Sequence, residues 1–396
     1  MAAPAKTNAR AYTSADWNDL YHTGPDTLAG RYMRLFWQPI CRAEDLPVGK
    51  PRPIRIMGED FTLYRGESGQ PHLVGFRCAH RRTQLSIGWV EGDNIRCRYH
   101  GWAYDASGQC IEQPPEPEPF CQKVRVPGYP TEEYLGLIFA YLGQGDPPPL
   151  PRYPDFEEPG VREVTTYVRG CNYFNSIDND PVHVYFVHRS PQRDWRQWNG
   201  RIPLISAEEM DYGVISYESI GGTRREGVAR GMPNISFRLA AREYSYVHGS
   251  PPTDNLAWRV PLDDDTHISF NVALVHVSGE EEQRYLERRA REREQGIGPE
   301  LEAKMIEEIL AGQADLDEVD LPTEALITLQ DHVTQQGQGS LPDHENEHLG
   351  RSDSGVILRR RIMARELRAL AEGRPLKQWL PPSRAVGLVR DRESPR

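Results

Sequence analysis

The chain reads Cys78-Ala79-His80 and then, after sixteen further residues, Cys97-Arg98-Tyr99-His100. Each motif carries one thiol and one imidazole, and each is followed by loop residues that include arginine or glycine. Two short loops of this kind can face each other and close around one metal centre. The stretch therefore predicts four metal ligands, namely Cys78, His80, Cys97 and His100.

Two kinds of metal centre accept two cysteines and two histidines. A structural zinc ion takes a Cys₂His₂ set, and a Rieske [2Fe–2S] cluster is held by two cysteines on one iron and two histidines on the other. Zinc fingers of this type usually present both cysteines from one loop and both histidines from a helix. Because each loop here carries one Cys and one His, the spacing favours the binuclear cluster.

The residues around both motifs resemble the two cluster loops of Rieske proteins. The resemblance includes the run Gly101-Trp102-Ala103-Tyr104-Asp105 after the second histidine. One departure is visible, because Arg82 and Thr83 stand where many relatives carry a glycine. We therefore expect a slightly different first loop with an unchanged set of ligands.

Length and charge restrict the class of protein. With 396 residues the chain can form two domains with separate cores. It carries 58 acidic against 47 basic side chains, so a nucleic-acid partner is not expected. No run of eighteen apolar residues occurs and the first residues lack an apolar signal core, which predicts a soluble cytoplasmic protein. The other four cysteines form no disulfide framework and are expected to be reduced: Cys41, Cys110, Cys121 and Cys171.

Hydrophobic patterning predicts an α+β fold with a small all-β domain first. Loosely helical spacing marks residues 10 to 34, and short alternating runs continue from residue 38 to about 145. The apolar run 135–142 predicts a strand buried on both sides. The proline-rich stretch 146–151 predicts a boundary. We therefore expect an N-terminal helical segment (1–37) that packs on the catalytic domain, followed by a Rieske domain (38–150).

Residues 151–396 are predicted to form a larger α+β catalytic domain, with an antiparallel sheet flanked by helices. Strand patterns occur at 215–217, 257–260 and 268–275. A charged helical stretch covers 280–312 and is interrupted near Pro299, which suits a helix N-terminus. A last helix is expected over about 356–372.

A second metal centre is predicted from the segment 178–188. His183 and His188 lie five residues apart, and Asp180 precedes them. A mononuclear Fe(II) that activates dioxygen needs two histidines and one carboxylate. A regular α-helix would separate the two rings by roughly 140°, so a π-type turn or a helix end between them is required. Asp180 before Pro181 also suits a helix N-cap, which is the alternative role for this carboxylate.

The pattern Asp-x-x-His-x-x-x-x-His downstream of the cluster loops resembles that of Rieske non-haem iron oxygenase large subunits. The form Asp180-Pro181-x-His183-x-x-Phe186-x-His188 is similar to the phthalate dioxygenase branch, which includes ring hydroxylases and aryl-ether-cleaving enzymes. The resemblance spans nearly the whole chain. It implies that Asp331, within the segment 329–339, is the third iron ligand.

The resemblance also implies how the parts work together. The hydroxylation of an aromatic compound, as in the catabolism of aromatic hydrocarbons, needs O₂ and two electrons. A Rieske cluster passes one electron at a time. No strand followed by Gly-x-Gly-x-x-Gly is present, so NADH must act through a separate reductase with flavin and ferredoxin-type centres. Similar enzymes form head-to-tail homotrimers. Asp180 would then link a Rieske histidine of one subunit to His183 of the next, because such carboxylates orient metal ligands.

The substrate is expected to be aromatic and carboxylated, since Arg238 or Arg242 could pair a carboxylate in bidentate fashion. Surface arginine is the alternative explanation for both residues. Two other functions stay open. The first is an O-demethylating monooxygenase that cleaves aryl ethers, and the second is an electron-transfer protein that uses the Rieske domain alone.

Overall fold

Two short helices begin the part of the fold that the computed structural model describes, which comprises residues 13–179, 182–183, 186–187, 202–238, 251–295 and 298–382. They are α1 (Ser14–Asn18) and α2 (Leu28–Met33). The Thr27 hydroxyl accepts a hydrogen bond from the Gly30 backbone N–H at 3.0 Å and so caps α2. Both helices lie within residues 10 to 34, where the spacing of apolar residues predicts helical structure.

A series of short strands follows and forms three antiparallel sheets. Their orders are β1-β11-β10, β2-β3-β4-β9 and β5-β6-β7-β8. This arrangement confirms the predicted small all-β domain. The strands are β1 (Gln38–Arg42), β2 (Arg52–Ile56), β3 (Glu59–Arg65), β4 (Pro71–Gly75), β5 (Trp89–Glu91), β6 (Asn94–Arg96), β7 (Ala103–Tyr104), β8 (Cys110–Glu112), β9 (Gly128–Tyr129), β10 (Thr131–Tyr134) and β11 (Leu137–Ala140).

The apolar run 135–142 forms a shorter strand than the sequence predicts. β11 pairs with β1 on one side and β10 on the other, and its residues are buried, as expected for a central strand. However, Leu135 and Gly136 adopt φ values of 52° and 77° and form the turn between β10 and β11. The strand is four residues long, because the turn uses the first two residues of the run and the strand ends at Ala140.

A seven-stranded antiparallel sheet dominates the described residues after position 160. Its order is β12-β18-β17-β16-β15-β14-β13. The strands predicted at 215–217, 257–260 and 268–275 are confirmed within it. The members are β12 (Val161–Arg169), β13 (Leu204–Glu209), β14 (Gly213–Ile220), β15 (Thr223–Gly231), β16 (Ile235–Arg238), β17 (Thr253–Pro261) and β18 (His267–Val275).

Helices accompany this sheet: α3 (Tyr173–Ile177), α4 (Glu280–Gln295), α5 (Pro299–Leu310), α6 (Thr323–Gln336) and α7 (Ser354–Ala371). The predicted interruption near Pro299 is confirmed, since α5 begins there. The last predicted helix corresponds to α7. The pattern analysis did not predict α6, which carries Asp331. Within the described ranges, no helix is long and apolar enough to cross a membrane.

The two faces of the seven-stranded sheet differ in polarity. On one face Trp258 and Phe270 belong to the largest apolar core, and the Trp258 ring lies 5.3 Å from that of Phe139 in β11. The core thus contains side chains from both sides of position 150. The domain boundary at this position stays a prediction. The opposite face carries Tyr167 and Arg259 and is directed toward α3 and α6.

Candidate functional site

The two loops that carry the predicted cluster ligands close in the same way. In the first loop the Cys78 N–H donates to the Thr83 carbonyl at 2.8 Å, and the Arg82 N–H donates to the Cys78 carbonyl at 3.0 Å. The second loop has the same two bonds. The Cys97 N–H donates to the Trp102 carbonyl at 2.8 Å, and the Gly101 N–H donates to the Cys97 carbonyl at 3.0 Å. Each loop is therefore a small unit closed by its own backbone.

Arg82 adopts the backbone conformation that the second loop assigns to glycine. Its φ is 65°, against 76° for Gly101. A non-glycine residue in this left-handed region is strained by its Cβ. The first loop therefore differs from the second in one strained residue, Arg82. Its backbone hydrogen bonds match those of the second loop.

The loops bring sulfur next to sulfur and imidazole next to imidazole. Cys78 and Cys97 are each 1 % exposed, and a hydrogen bond between their side chains raises the pKa of Cys78 and lowers the pKa of Cys97 to about 6. The rings of His80 and His100 lie with their centroids 4.5 Å apart. This pairing suits two metal ions that take unlike ligands.

Two aromatic residues fix the surroundings of these ligands. The Tyr104 hydroxyl accepts a hydrogen bond from the Ala79 N–H at 3.1 Å, so its own proton is available to the Cys78 Sγ at 3.1 Å. The indole of Trp102 stacks on His80 at 4.6 Å and 9°. The His80 Nδ1 is buried and makes no hydrogen bond within the described residues. A metal ion would supply the partner that this nitrogen lacks, and the donor set fits a Rieske cluster.

His183 and Asp331 meet although they are far apart in sequence. The His183 Nε2 lies 3.7 Å from the Asp331 Oδ1. The side-chain amide of Asn179 approaches the same Nε2 at 3.3 Å. Asp180 and His188 lie outside the described residues. In the described part, no group of three or more His, Cys, Asp or Glu side chains is placed to hold one metal ion.

The turn that follows His183 is described in part. The Phe186 and Val187 N–H groups donate to the His183 carbonyl at 2.9 and 2.8 Å. The π-type turn predicted between the two histidines stays a prediction, since His188 is outside the described ranges.

A buried polar network sets the distance between α3 and α6, which hold the two sides of this second site. Ser176 donates to the Gln335 side chain at 2.5 Å, and Arg169 donates to Ser176 at 2.8 Å. Asn175 donates to the Gly339 carbonyl at 3.0 Å. Because these bonds are buried, any shift of one helix would leave polar groups without partners.

Three arginines hold the end of α3, immediately before the histidine segment. Arg230 donates to the Ile177 carbonyl at 3.2 Å and to the Asn179 carbonyl at 2.5 Å. Arg359 donates to the same Ile177 carbonyl at 3.3 Å. The third is Arg360, which pairs with the Asp178 side chain at 2.6 Å. Cations are favourable at a helix C-terminus, and here they also fix where the next residues begin.

The comparisons with known proteins concern the family and the fold of the chain. Residues 36–130 match the model of the Rieske [2Fe-2S] domain. The chain is also 32% identical, over 376 residues, to the 5,5'-dehydrodivanillate O-demethylase oxygenase subunit of Sphingobium sp., covering 91% of this chain and 82% of that protein. The chain belongs to the Rieske oxygenase family. This oxygenase is also 31% identical to the phenoxybenzoate dioxygenase subunit alpha of Ectopseudomonas oleovorans, over 88% of its own length and 83% of the relative.

Solved structures support the same fold for the oxygenase. A Pseudomonas putida CBB5 NdmA variant with caffeine matches with a TM-score of 0.65 and 19% identity, covering 86% of this chain and 92% of that one. The oxygenase in a reduced complex with ferredoxin in carbazole 1,9a-dioxygenase matches with a TM-score of 0.60 and 20% identity, covering 92% and 98%. At these identities the likeness concerns the fold alone.

Sequence reasoning missed a group of polar residues on the sheet of the Rieske oxygenase beside Asp331. Arg169 lies 5.0 Å and Arg259 5.8 Å from the centre of the Tyr167 ring. His332, next to Asp331, packs on the same ring at 4.8 Å and is 2 % exposed, and burial lowers its pKa to about 3. His332 therefore faces the sheet. The sequence signal for the group was the alternation of Tyr167 and Arg169 along β12.

Proposed function

We propose that this Rieske oxygenase is a terminal component that uses O₂ and electrons from NADH, delivered by a separate reductase, to oxidise a carboxylated aromatic substrate. The observation that carries the proposal is the approach of His183 to Asp331, downstream of two complete Cys-His loops in one chain. An electron-transfer protein would need only the loops. Two metal centres of unlike type suit a reaction that needs electrons and dioxygen at different places.

In this proposal Cys78 and Cys97 hold one iron of the cluster, and His80 and His100 hold the other. The bound cluster supplies one-electron transfer. The polypeptide supplies the dry apolar surroundings of both sulfurs and the Tyr104 hydroxyl beside Cys78. A hydrogen bond to a cluster ligand favours the more negative, reduced state and so raises the potential.

His183, His188 and Asp331 would hold the mononuclear Fe(II), two nitrogens and one carboxylate being the set that leaves positions open for oxygen. The iron supplies dioxygen activation when bound. The chain's own contribution is to hold the His183 ring in front of Asp331, through the arginines at the end of α3 and the network between α3 and α6. These contacts keep the ligands in place before the metal arrives.

Asp180 is proposed to connect the two centres across a head-to-tail homotrimer, by orienting His183 and a Rieske histidine of the neighbouring subunit. Asp180→Asn should then leave three irons per chain in place and reduce turnover about 10- to 100-fold, the usual effect of removing such a carboxylate. Turnover at the wild-type rate would favour the helix-cap role instead.

Aryl-ether demethylation is the second candidate function. It is favoured by the identity to the dehydrodivanillate O-demethylase oxygenase subunit, while the phenoxybenzoate relative favours dioxygenation. Demethylation consumes one O₂, two electrons and two protons, and gives a phenol, formaldehyde and water. Dihydroxylation places both oxygen atoms on the ring, so formaldehyde distinguishes the two reactions.

The test is a single turnover of the anaerobically purified protein. The cluster is reduced with dithionite, the reductant is removed, and O₂ is added with methoxybenzoates, phenoxybenzoates, benzoates and phthalates in turn. A hydroxylated or demethylated product, with three irons per chain, is the expected result. A protein with two irons per chain and no product from any substrate would instead be an electron carrier.

A further inference from the structure

A polar surface crosses the sheet between the two halves of the second metal site. Arg230 of β15 donates a hydrogen bond to the Asn179 carbonyl. The strands place four residues in one row across the sheet, in the order Arg230, Ser236, Ala257 and Asn271. Paired residues share one face of a sheet. This face therefore runs from beneath the His183 segment toward α6 and Asp331.

Arg259, Ser269 and Tyr167 form the next row on the same face, at the end close to Asp331. Tyr167 contacts His332 of α6. The charge of Asp331 acts on both Tyr167 and Arg259. The row therefore lies beside the predicted iron ligand.

Two guanidinium groups on this face have no carboxylate within salt-bridge distance among the described residues. Arg169 is 3 % exposed and donates to the neutral side chains of Ser176 and Gln335. Arg259 donates to the Asn271 side chain at 3.1 Å. A buried cation without an anionic partner is costly. Asp331 acts on Arg259 and Glu302 acts on Arg169 only through their charges, beyond salt-bridge distance, so an incoming anion can still neutralise this positive charge.

The positive charge also acts on the phenol between the two arginines. Burial raises the pKa of Tyr167, but Arg259 and Arg169, with a smaller contribution from the Ser269 side chain, together lower it by more, so the pKa lies below its ordinary value. A phenol of this kind is a stronger hydrogen-bond donor to an anion. The described residues thus supply a guanidinium fork and a hydroxyl at the same place.

Arg259 and Tyr167 are partly exposed, as are His183 and Asp331 of the second metal site. The side chains of His183 and Asp331 are 23% and 26% exposed, and Arg259 and Tyr167 are half-buried. In contrast, Arg169 and Ser269 are buried. Arg259 and Tyr167 can therefore touch a bound molecule, while Arg169 adds its charge from the second row.

We infer that Arg259 and Tyr167 bind the carboxylate of the substrate, and that Arg169 supports them from behind. This inference rests on the proposed function and names the residues that select an aromatic acid. A guanidinium donates two parallel hydrogen bonds to a carboxylate. When Asp331 binds a metal ion, its charge no longer neutralises the arginines. The sequence-based hypothesis named Arg238 and Arg242 instead. Arg242 lies outside the described residues, and the side chain of Arg238 is not described.

The test compares matched pairs of carboxylates and carboxamides: benzoate, methoxybenzoate and phenoxybenzoate, each with its amide. Equilibrium dialysis against the anaerobic holoenzyme measures affinity without turnover. In at least one pair the wild type should bind the acid more tightly than the amide. Arg259→Gln should weaken acid binding about 10- to 100-fold, the effect of losing a charge-assisted pair, and leave amide binding unchanged.

Two further variants sharpen the result. Arg259→Lys should recover part of the acid preference, since it keeps the charge and loses the fork. Arg284→Gln removes one charge from an exposed position on α4 and should leave the acid preference at the wild-type value. A structural role for Arg259 would weaken acid and amide binding equally.

The inference is overturned if no acid binds more tightly than its amide in the wild type, or if Arg259→Gln keeps the wild-type preference. Iron content and single-turnover products from the same samples separate the two proposals. Three irons with turnover but no acid preference would refute the carboxylate site alone. Two irons without turnover, combined with an acid preference that Arg259→Gln abolishes, would refute the proposed oxygenase reaction alone.

Discussion

Cys78 and Cys97 lie on loops that close through backbone hydrogen bonds between residues 78 and 102, whereas His183 and Asp331 come from segments about 150 residues apart. The first site depends on two short turns and a small apolar core around the sulfurs. The second depends on side chains, namely the arginines at the end of α3 and the network between α3 and α6. The cluster site should therefore tolerate changes elsewhere in the fold, and the second site should respond to them.

The largest expected effect separates the two sites directly. Asp331→Ala removes the proposed carboxylate ligand and should reduce turnover at least 100-fold, while the cluster keeps its visible absorbance and its low-temperature resonance. Iron should fall from three to two per chain. A matched control is Glu302→Ala, which removes a half-buried carboxylate near His332. If Asp331→Ala bleached the cluster, the two sites would not be independent.

Arg360→Gln should affect only the second site. The substitution removes the pairs with Asp178 at 2.6 Å and Glu347 at 2.5 Å and leaves a carboxylate that is 8% exposed without its cation. We expect the third iron to be lost to a chelator about tenfold faster, as for other groups that orient metal ligands. The cluster spectrum should not change. Arg361→Gln, at the exposed neighbouring position, is the control, and equal iron loss in both variants would contradict the positioning role.

Acid should also act on the larger sheet. His267 is fully buried, donates from Nδ1 to the Cys171 carbonyl at 2.7 Å, and burial lowers its pKa to about 3. Below pH 6.5 the unfolded chain binds a proton that the folded chain does not, so stability falls by about 1.4 kcal/mol per pH unit between 6.5 and 3.

The measurement is the free energy of unfolding as a function of pH, in the wild type and in His267→Asn. Between pH 3 and 6.5 the slope in the variant should be smaller than in the wild type, by the amount that corresponds to about one proton. His348→Asn changes an exposed histidine and should keep the wild-type slope. The same slope in both variants would show that His267 does not contribute.

The smallest effect concerns the strained residue of the first cluster loop. Arg82→Gly removes a Cβ at φ 65° and should stabilise the loop by about 1 kcal/mol, seen as a higher midpoint of thermal cluster bleaching. Arg81→Gly, at the neighbouring exposed position, should lower the midpoint, because glycine adds freedom to the unfolded chain. A lower midpoint in both variants would mean that Arg82 is not strained.

The comparison also explains what the sequence could predict. Cys78 and His80 are neighbours in the chain, so one short motif indicated both the loop and its chemistry. Asp331 followed only from the family resemblance, since its helix α6 has no distinctive pattern. Arg259 and Tyr167 could not be found from the sequence, because they lie in strands about 90 residues apart and no local motif connects them. Only the pairing of β12, β18 and β17 brings them together.

Local patterns predicted the strands better than their ends. The run 135–142 is apolar throughout, and hydrophobicity alone gave no sign that Leu135 enters a turn. Its position before Gly136 was the available signal, because glycine readily adopts the positive φ that such turns require.

The most direct test of the central claim is a count of iron and acid-labile sulfide in the anaerobically purified wild-type protein, before and after treatment with a ferrous chelator. The expected result is three irons and two sulfides per chain, with one iron removed by the chelator and the cluster resonance unchanged. Two irons per chain, all retained with the sulfide, would contradict a second metal site at His183 and Asp331.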